Sequence, residues 1–188
     1  MKAFLMASYI VLWTLVLMLL FLVLLLYRQY GRSLMGPRQR IDSAGLALNE
    51  KAPTLSLKAT DDAPIIVDWL GSARGTVALF AVPGCTICEH LWGEERMAAL
   101  TQEWPDVDFI WVDADRAHIA ARPVPAGWRF SYSADRSAHE AVEFPASPYA
   151  YVIGSNGRVL AKGLINHGAD LGEMLARAFN VHLALDQA

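Results

Sequence analysis

Hydrophobic and polar positions along the chain follow three successive patterns, and the first is an unbroken apolar run. Residues 3–27, "AFLMASYIVLWTLVLMLLFLVLLLY", contain no charged side chain in 25 positions. As a helix this run would be about 37 Å long, which is enough to cross the hydrocarbon core of a bilayer. The pattern predicts a membrane anchor over residues 1–27.

The second pattern, over residues 28–51, mixes Gly, Pro and charged residues and is typical of a linker. From residue 52 the chain changes to short strand patterns: "PTLSLKA" alternates, "APIIVDWL" is rich in β-branched residues, and "TVALFAV" is continuously apolar. A continuous apolar run of this length suits a strand that is buried on both faces. It therefore predicts a central strand.

The remainder alternates between helical and strand patterns. "ICEHLWGEERMAALTQEW" predicts one amphipathic helix that ends before Pro105, and "VDFIWVDAD" predicts the next strand. A loop rich in Ala, Arg and Pro follows, then a helix around "SADRSAHEAVEF", a hairpin that turns at Asn156-Gly157, and a last helix over residues 169–179. This order predicts an α/β domain with a mixed sheet over residues 52–180, followed by a tail over residues 181–188.

The apolar N-terminal run has two interpretations. A cleaved signal peptide should have an apolar region of only about 7–15 residues followed by small residues, whereas "YRQY" follows here, so an anchor is favoured. Counting basic residues places Lys2 before the run and Arg28, Arg32, Arg38 and Arg40 after it. By the positive-inside rule, this count predicts a cytoplasmic C-terminal domain.

Charge narrows the choice of partners. The net charge of −3 provides no broad basic surface, so nucleic acid is not expected as a partner. The apolar run instead predicts the lipid bilayer as a partner.

Chemistry points to the only two cysteines, Cys85 and Cys88, in "PGCTICEH". Two thiols at this spacing can bind zinc, attach a haem, close a structural loop or exchange electrons as a dithiol. Haem attachment requires His directly after the second cysteine, where Glu89 stands. Zinc requires further ligands, but the five histidines are scattered, and a structural disulfide over so short a loop would remove little chain entropy. A dithiol is favoured, since the pair lies between a strand and a helix.

In its order of elements the chain resembles the thioredoxin-like fold over roughly residues 52–179. A second marker is Pro148 in "FPASPYAYVIGSNGRV", which matches the position of the cis-proline that faces the cysteine pair in that family; Pro145 lies three residues too early. The resemblance implies a thiol-disulfide oxidoreductase with no bound cofactor or metal other than a redox-active Cys85–Cys88 disulfide.

A helix N-terminus favours a thiolate, so Cys85 is expected to attack and Cys88 to resolve the mixed disulfide. Ser147, Pro148, Thr86 and Ile87 are expected to line the client groove. The apolar run "TVALFAV" lacks the buried aspartate that thioredoxins carry there, which leaves Glu143, Asp68 and Glu89 as unranked proton acceptors for Cys88.

A closer resemblance joins the anchor, the linker "GPRQRIDSAGLALNEKAP", the cysteine motif and "VLAKGLINHGADLGEML". Together these are similar to the methylamine dehydrogenase accessory proteins of thioredoxin type. Thr86-Ile87 and Glu89 depart from that family, which commonly has proline beside the cysteines and a basic residue after them. The resemblance implies a single-pass protein of the inner membrane with a periplasmic domain, opposite to the arginine count. It also implies a client, the dehydrogenase small subunit, and a membrane redox partner that resets the cysteine pair.

Two other functions stay open at this point. One is a general thiol-disulfide reductase of the kind that keeps apocytochrome thiols reduced during cytochrome c maturation. The other is a non-catalytic tethered assembly chaperone, in which the cysteine pair is only a redox-sensitive clasp. Turnover against a disulfide substrate separates the chaperone from both oxidoreductases.

Overall fold

The structure, a computed structural model, describes Met6, Tyr9 and residues 12–24, 44–120 and 125–185; the side chains of residues 181–185 are not described. The chain divides into two compact units, Met1–Arg40 and Ile41–Ala188. In the first unit a helix, α1, includes residues 12–24, and its apolar side chains are exposed. Within the described ranges, no helix is long and apolar enough to span a membrane. The rest of the predicted anchor, residues 28–43 of the predicted linker and residues 186–188 of the predicted tail lie outside the described residues.

The second unit is built on one seven-stranded mixed sheet with the strand order β2-β1-β5-β4-β3-β6-β7. The strands are β1 (Leu55–Ala59), β2 (Pro64–Val67), β3 (Gly75–Phe80), β4 (Val107–Asp113), β5 (Trp128–Tyr132), β6 (Tyr149–Gly154) and β7 (Val159–Leu164). Strands β3, β4 and β5 are parallel, and the other pairs are antiparallel.

Helices cover the sheet on both faces. They are α2 (Thr86–Gly93), α3 (Glu95–Glu103), α4 (Arg116–Ala120), α5 (Ser137–Val142) and α6 (Gly168–Leu185). Side chains from α2, α3, α4 and α6 pack on one face, and α5 packs on the other. This arrangement confirms the predicted α/β domain with a mixed sheet.

Strand β3 lies in the interior of the sheet, where the parallel part meets the antiparallel part. All six of its residues are buried, and it pairs with β4 on one side and β6 on the other. The prediction of a central strand from "TVALFAV" is confirmed. Because α2 follows β3 after a short loop, the carboxyl end of this strand places the cysteine pair at one edge of the sheet.

The predicted hairpin is also confirmed, since β6 and β7 pair antiparallel on either side of the turn. Gly157 has φ of +75°, a backbone conformation that glycine adopts without a steric penalty. The N–H of Gly154 donates to the carbonyl of Arg158 and closes the turn.

Two sequence expectations are wrong. The single helix expected over residues 87–104 is broken at Glu94, which has extended backbone angles and separates α2 from α3. The break is stabilised by a residue that is far away in the sequence. In the extended conformation the Glu94 carboxylate accepts a hydrogen bond from the Gly168 N–H at the start of α6 (2.6 Å). The stretch expected to be a loop after β4 contains helix α4 and strand β5.

Candidate active site

The cysteine pair lies where the β3–α2 loop enters α2. Gly84, directly before Cys85, has φ of +80°, so the chain reverses there in a conformation that favours glycine. Cys85 is the N-cap residue of α2, and its Sγ accepts a hydrogen bond from the Cys88 N–H at 3.1 Å. The first cysteine therefore takes the role that Ser or Asp side chains usually have at a helix N-terminus.

Cys85 and Cys88 form a disulfide with their Cα atoms 5.3 Å apart. The two sulfur-bearing residues differ in access: Cys88 is 0% exposed, whereas Cys85 is only partly buried. An incoming thiolate can therefore reach the Sγ of Cys85 but not that of Cys88. The positive end of the α2 dipole also favours negative charge at Cys85.

The loop before β6 faces the cysteine pair from across the site. The Ser147–Pro148 peptide bond is cis. The Oγ of Ser147 accepts a hydrogen bond from the Val82 N–H (3.2 Å) and lies 3.3 Å from the Sγ of Cys88. Pro148 is buried, and its carbonyl accepts a hydrogen bond from the Ile165 N–H. The loop is thus tied to both the cysteine pair and the end of β7.

A shallow, open depression surrounds the partly exposed sulfur of Cys85. Its lining consists of Val82, Pro83, Gly84, Cys85, Thr86, Ile87 and Ser147. Of the residues expected in the client groove, Thr86, Ile87 and Ser147 line this depression, whereas Pro148 is buried and does not belong to the lining. Ile87 is 39% exposed and gives the depression an apolar patch beside the sulfur.

The three acids considered as proton acceptors are all on the surface. Asp68, Glu89 and Glu143 are exposed, and the backbone N–H of Glu89 donates to the carbonyl of Cys85 (3.2 Å). Among the described residues, the one fully buried acid is Asp113, at the carboxyl end of β4. Sequence reasoning missed it.

Asp113 forms a buried pair with His118 of α4, in which the carboxylate Oδ2 lies 2.6 Å from Nδ1. The side chains are 0% and 12% exposed, and the His118 Nε2 is buried without a hydrogen-bond partner among the described residues. The His118 ring contacts Trp92, one turn after Cys88 in α2. The pair therefore lies on the α2 face of the sheet, at the edge that carries the cysteines.

A signal for Asp113 was present in the sequence. Alternate positions of "VDFIWVD" place Phe109 and Trp111 in the same core cluster as Cys88, and the same alternation places Asp113 on that face. An acid at the end of a core-facing series is a candidate functional group.

A second histidine supports the loop that leads to the cysteines. His139 of α5 has its Nε2 2.9 Å from the carbonyl of Ala81, and its ring packs against Phe80 and Phe144. Burial lowers the pKa of His139, partly offset by the hydrogen bond to Ala81 and the charge of Asp113. A neutral His139 donating from Nε2 to Ala81 satisfies this geometry.

Within the described ranges, no group of three or more His, Cys, Asp or Glu side chains is arranged to hold a metal ion. What the arrangement offers is sulfur chemistry: one accessible sulfur, one buried sulfur bonded to it, and hydrogen-bond donors at each.

Comparison with known proteins agrees with this geometry. No protein-family model matches the sequence, and no curated protein matches it. A candidate thiol:disulfide interchange protein DsbE from Chlorobium tepidum is similar with a TM-score of 0.59 and 19% identity, over 71% of this chain and 99% of that one.

Two further solved structures share the fold. A secreted disulfide oxidoreductase from Mycobacterium tuberculosis has a TM-score of 0.54 at 15% identity, over 65% of this chain and 94% of that one. The thioredoxin domain of a thiol-disulfide oxidoreductase from Bacteroides vulgatus has a TM-score of 0.55 at 14% identity, over 71% and 99%. The fold is thioredoxin-like, and together with the Cys85–Cys88 disulfide it supports thiol-disulfide oxidoreductase activity.

Proposed function

We propose that this protein is a membrane-anchored periplasmic thiol-disulfide oxidoreductase that assists disulfide formation in the small subunit of methylamine dehydrogenase. One observation carries the oxidoreductase part: a half-buried sulfur at a helix N-terminus is bonded to a fully buried one and faces the Ser147–Pro148 loop. This arrangement lets a client reach one sulfur and keeps the other for the intramolecular step.

The exchange proceeds in two balanced steps. As an oxidase, the protein begins with the Cys85–Cys88 disulfide; a client thiolate attacks the Sγ of Cys85, a client–Cys85 disulfide forms, and Cys88 leaves as a thiolate. A second client thiolate then attacks the client sulfur, which leaves a client disulfide and reduced Cys85. The client loses two electrons and the protein gains them, so a membrane redox partner must reoxidise the pair.

The apolar N-terminal run supports the membrane anchor, and the dithiol chemistry supports the periplasmic location. Residues 12–24 form an apolar helix with exposed side chains inside the longer uncharged run. An anchored dithiol exchanger with no further cysteines belongs in a compartment where disulfides are made, which argues for the periplasm against the arginine count. The lipid bilayer is then a permanent partner.

The identity of the client is inferred from the family resemblance, because the depression itself does not select one client sequence. An extended client segment would pair through its backbone, and backbone pairing accepts many sequences. The exposed Ile87 beside Cys85 adds an apolar contact. Choice of the dehydrogenase small subunit therefore comes from the chain ends and the cysteine motif.

Trapping tests the proposal in cells that keep a wild-type copy, grow on methylamine and also express the variant. Cys88→Ser should accumulate mixed disulfides on Cys85, because its Cys85 thiolate attacks client disulfides, one client sulfur leaves as a thiolate, and the sulfur that would resolve the adduct is gone. Cys85→Ser is the matched control and should accumulate none. Recovery of the dehydrogenase small subunit on Cys85, identified by mass spectrometry, would support the proposal; adducts confined to the Cys85→Ser protein would reverse the two roles.

A general reductase is the second candidate, favoured by the similarity in fold to a protein named as a thiol:disulfide interchange protein. In that function the same residues work with the electrons moving toward the client. Cells that lack the protein would then grow normally on methylamine but lose c-type cytochromes. If cells that lack the protein fail to grow on methylamine but grow normally on other carbon sources, the dedicated function is favoured.

A further inference from the structure

The hydroxyl of Ser147 bridges the two loops on either side of the cysteine pair. It accepts from the Val82 N–H at 3.2 Å and lies 3.3 Å from the Sγ of Cys88, a residue 59 positions away in sequence. The contact is to the buried sulfur rather than to the accessible one.

The oxidation state decides which atom donates in the second contact. Cys88 is bonded to Cys85, so its sulfur carries no proton and can only accept. A serine hydroxyl has one proton and two acceptor lone pairs, and the Val82 N–H already uses one lone pair. The Ser147 O–H therefore donates to the Sγ of Cys88.

We infer that Ser147 is a catalytic residue whose hydroxyl stabilises negative charge on Cys88, a role separate from lining the client depression. The inference rests on the proposed exchange function. When a thiolate attacks Cys85, the Cys85–Cys88 bond breaks and Cys88 takes the electron pair. The charge develops on the atom to which the hydroxyl already donates, and a hydrogen bond to a charged acceptor is the stronger kind.

Cys88 needs such a donor more than Cys85 does. Its sulfur is fully buried in an apolar cluster that includes Leu91 and Trp92, and burial in apolar surroundings disfavours a thiolate. Cys85 has its own donor in the Cys88 N–H and lies at the helix N-terminus. Ser147 supplies the buried sulfur with a donor that comes from outside the helix.

The same contact acts in the reverse direction. When Cys88 resolves a mixed disulfide, its thiolate attacks the Sγ of Cys85, the new Cys85–Cys88 bond forms, and the client leaves as a thiolate. A larger thiolate fraction on Cys88 at neutral pH speeds this step.

Two substitutions of nearly equal shape, Ser147→Thr and Ser147→Val, separate the hydroxyl from the side-chain volume. In a Cys85→Ser background Cys88 is the only thiol in the full chain, so the ultraviolet absorbance of the thiolate reports its ionisation. We expect the acid dissociation constant of the Cys88 thiol to be about tenfold lower with Val than with Thr. A packing role alone would leave the two variants equal, because both keep the branched shape.

Kinetics of the oxidised full chain in detergent, with reduced glutathione as the probe, supply the second readout. We expect the disulfide of Ser147→Val to be reduced about three- to tenfold more slowly than that of Ser147→Thr, since a leaving thiol of higher pKa leaves more slowly. Ser155→Ala, in the exposed β6–β7 turn, is the control hydroxyl deletion and should match the wild type.

Equal ionisation and equal rates in the Thr and Val variants would overturn the inference. If Val slows reduction but leaves the ionisation of Cys88 unchanged, the hydroxyl does not act on Cys88 and the inference is also overturned. A wild-type disulfide that glutathione does not reduce would instead overturn the proposed function, while the titration would still decide the hydrogen bond. The expected result is a difference between Val and Thr in both measurements.

Discussion

Two polar residues, the buried Asp113 and the half-buried His139, have effects on stability that can be measured separately. Asp113 accepts from the Asp115 N–H and contacts His118, and its side chain is fully buried. Asp113→Ala would leave both groups without their partner, so we expect a loss of about 2–4 kcal/mol in the free energy of unfolding. Asp113→Asn keeps one oxygen acceptor and should lose less. Urea denaturation measures both.

Asp108 provides the matched control on the same strand. Its carboxylate pairs with Arg129, but both side chains are about half exposed. Exposed ion pairs contribute less than about 1 kcal/mol, so Asp108→Ala should change the free energy of unfolding only slightly. Equal losses for the two alanine variants would contradict the structural role assigned to Asp113.

His139 should make the fold sensitive to acid. Burial lowers its pKa below the ordinary value of 6.5, so the unfolded chain takes up a proton more readily than the folded chain does. The contribution is therefore fully present above pH 6.5 and is lost as the pH falls through that value toward the lower folded pKa.

His139→Gln keeps an N–H donor for the Ala81 carbonyl but cannot be protonated. Between about pH 7.5 and about pH 5.5, we expect the wild type to lose more of its free energy of unfolding than this variant does. Because the other histidines are the same in both proteins, the difference isolates His139. Parallel pH profiles would show that His139 does not contribute.

The cysteine pair was predictable from the sequence, whereas contacts that depend on the tertiary fold or on an unpredicted helix were not. The spacing of Cys85 and Cys88 between a strand and a helix is visible within a dozen residues. The contact from Ser147 to Cys88 spans 59 positions, and that from Asp113 to His118 depends on a short helix that the sequence pattern did not indicate.

At the scale of elements, the joint between α2 and α3 depends on Glu94. Its carboxylate accepts from the Gly168 N–H at 2.6 Å and lies 3.5 Å from the His167 ring. Removing it with Glu94→Ala leaves a first-turn N–H of α6 unsatisfied, which should cost about 1–2 kcal/mol of unfolding free energy.

The neighbouring Glu95→Ala is the control, because Glu95 is exposed in the first turn of α3. Surface substitutions of this kind usually change stability by less than about 0.5 kcal/mol. Chemical denaturation of both variants compares them directly. If Glu94→Ala is no more destabilising than Glu95→Ala, the carboxylate does not hold the joint.

Elements were predictable where the pattern itself determines the structure. The continuous apolar run indicated β3, and Asn156-Gly157 between apolar segments indicated the β6–β7 hairpin. The break at Glu94 was not predicted, because the apolar positions on both sides of it continue one helical period. Strand β5 was not predicted, because it has only five residues and follows a stretch rich in proline.

For the whole molecule, the side of the membrane on which the domain lies is a prediction with a direct test. We expect an alkaline phosphatase fused after Ala188 to be active, since that reporter needs an oxidising compartment for its own disulfides. A β-galactosidase fused at the same position should be inactive. An inactive phosphatase that is well expressed, together with active galactosidase, would contradict the periplasmic location and with it the proposed client.

Because the two sulfurs differ in burial, the number of reactive thiols reports whether the protein is folded. Cys88 is 0% exposed, Cys85 is partly exposed, and the sequence has no other cysteine. After reduction, a bulky maleimide should attach once to the native protein and twice to the denatured one, while the oxidised protein takes up none. Three gel bands from a crude lysate would then distinguish the oxidised, the native reduced and the unfolded populations, without an antibody to any one conformation.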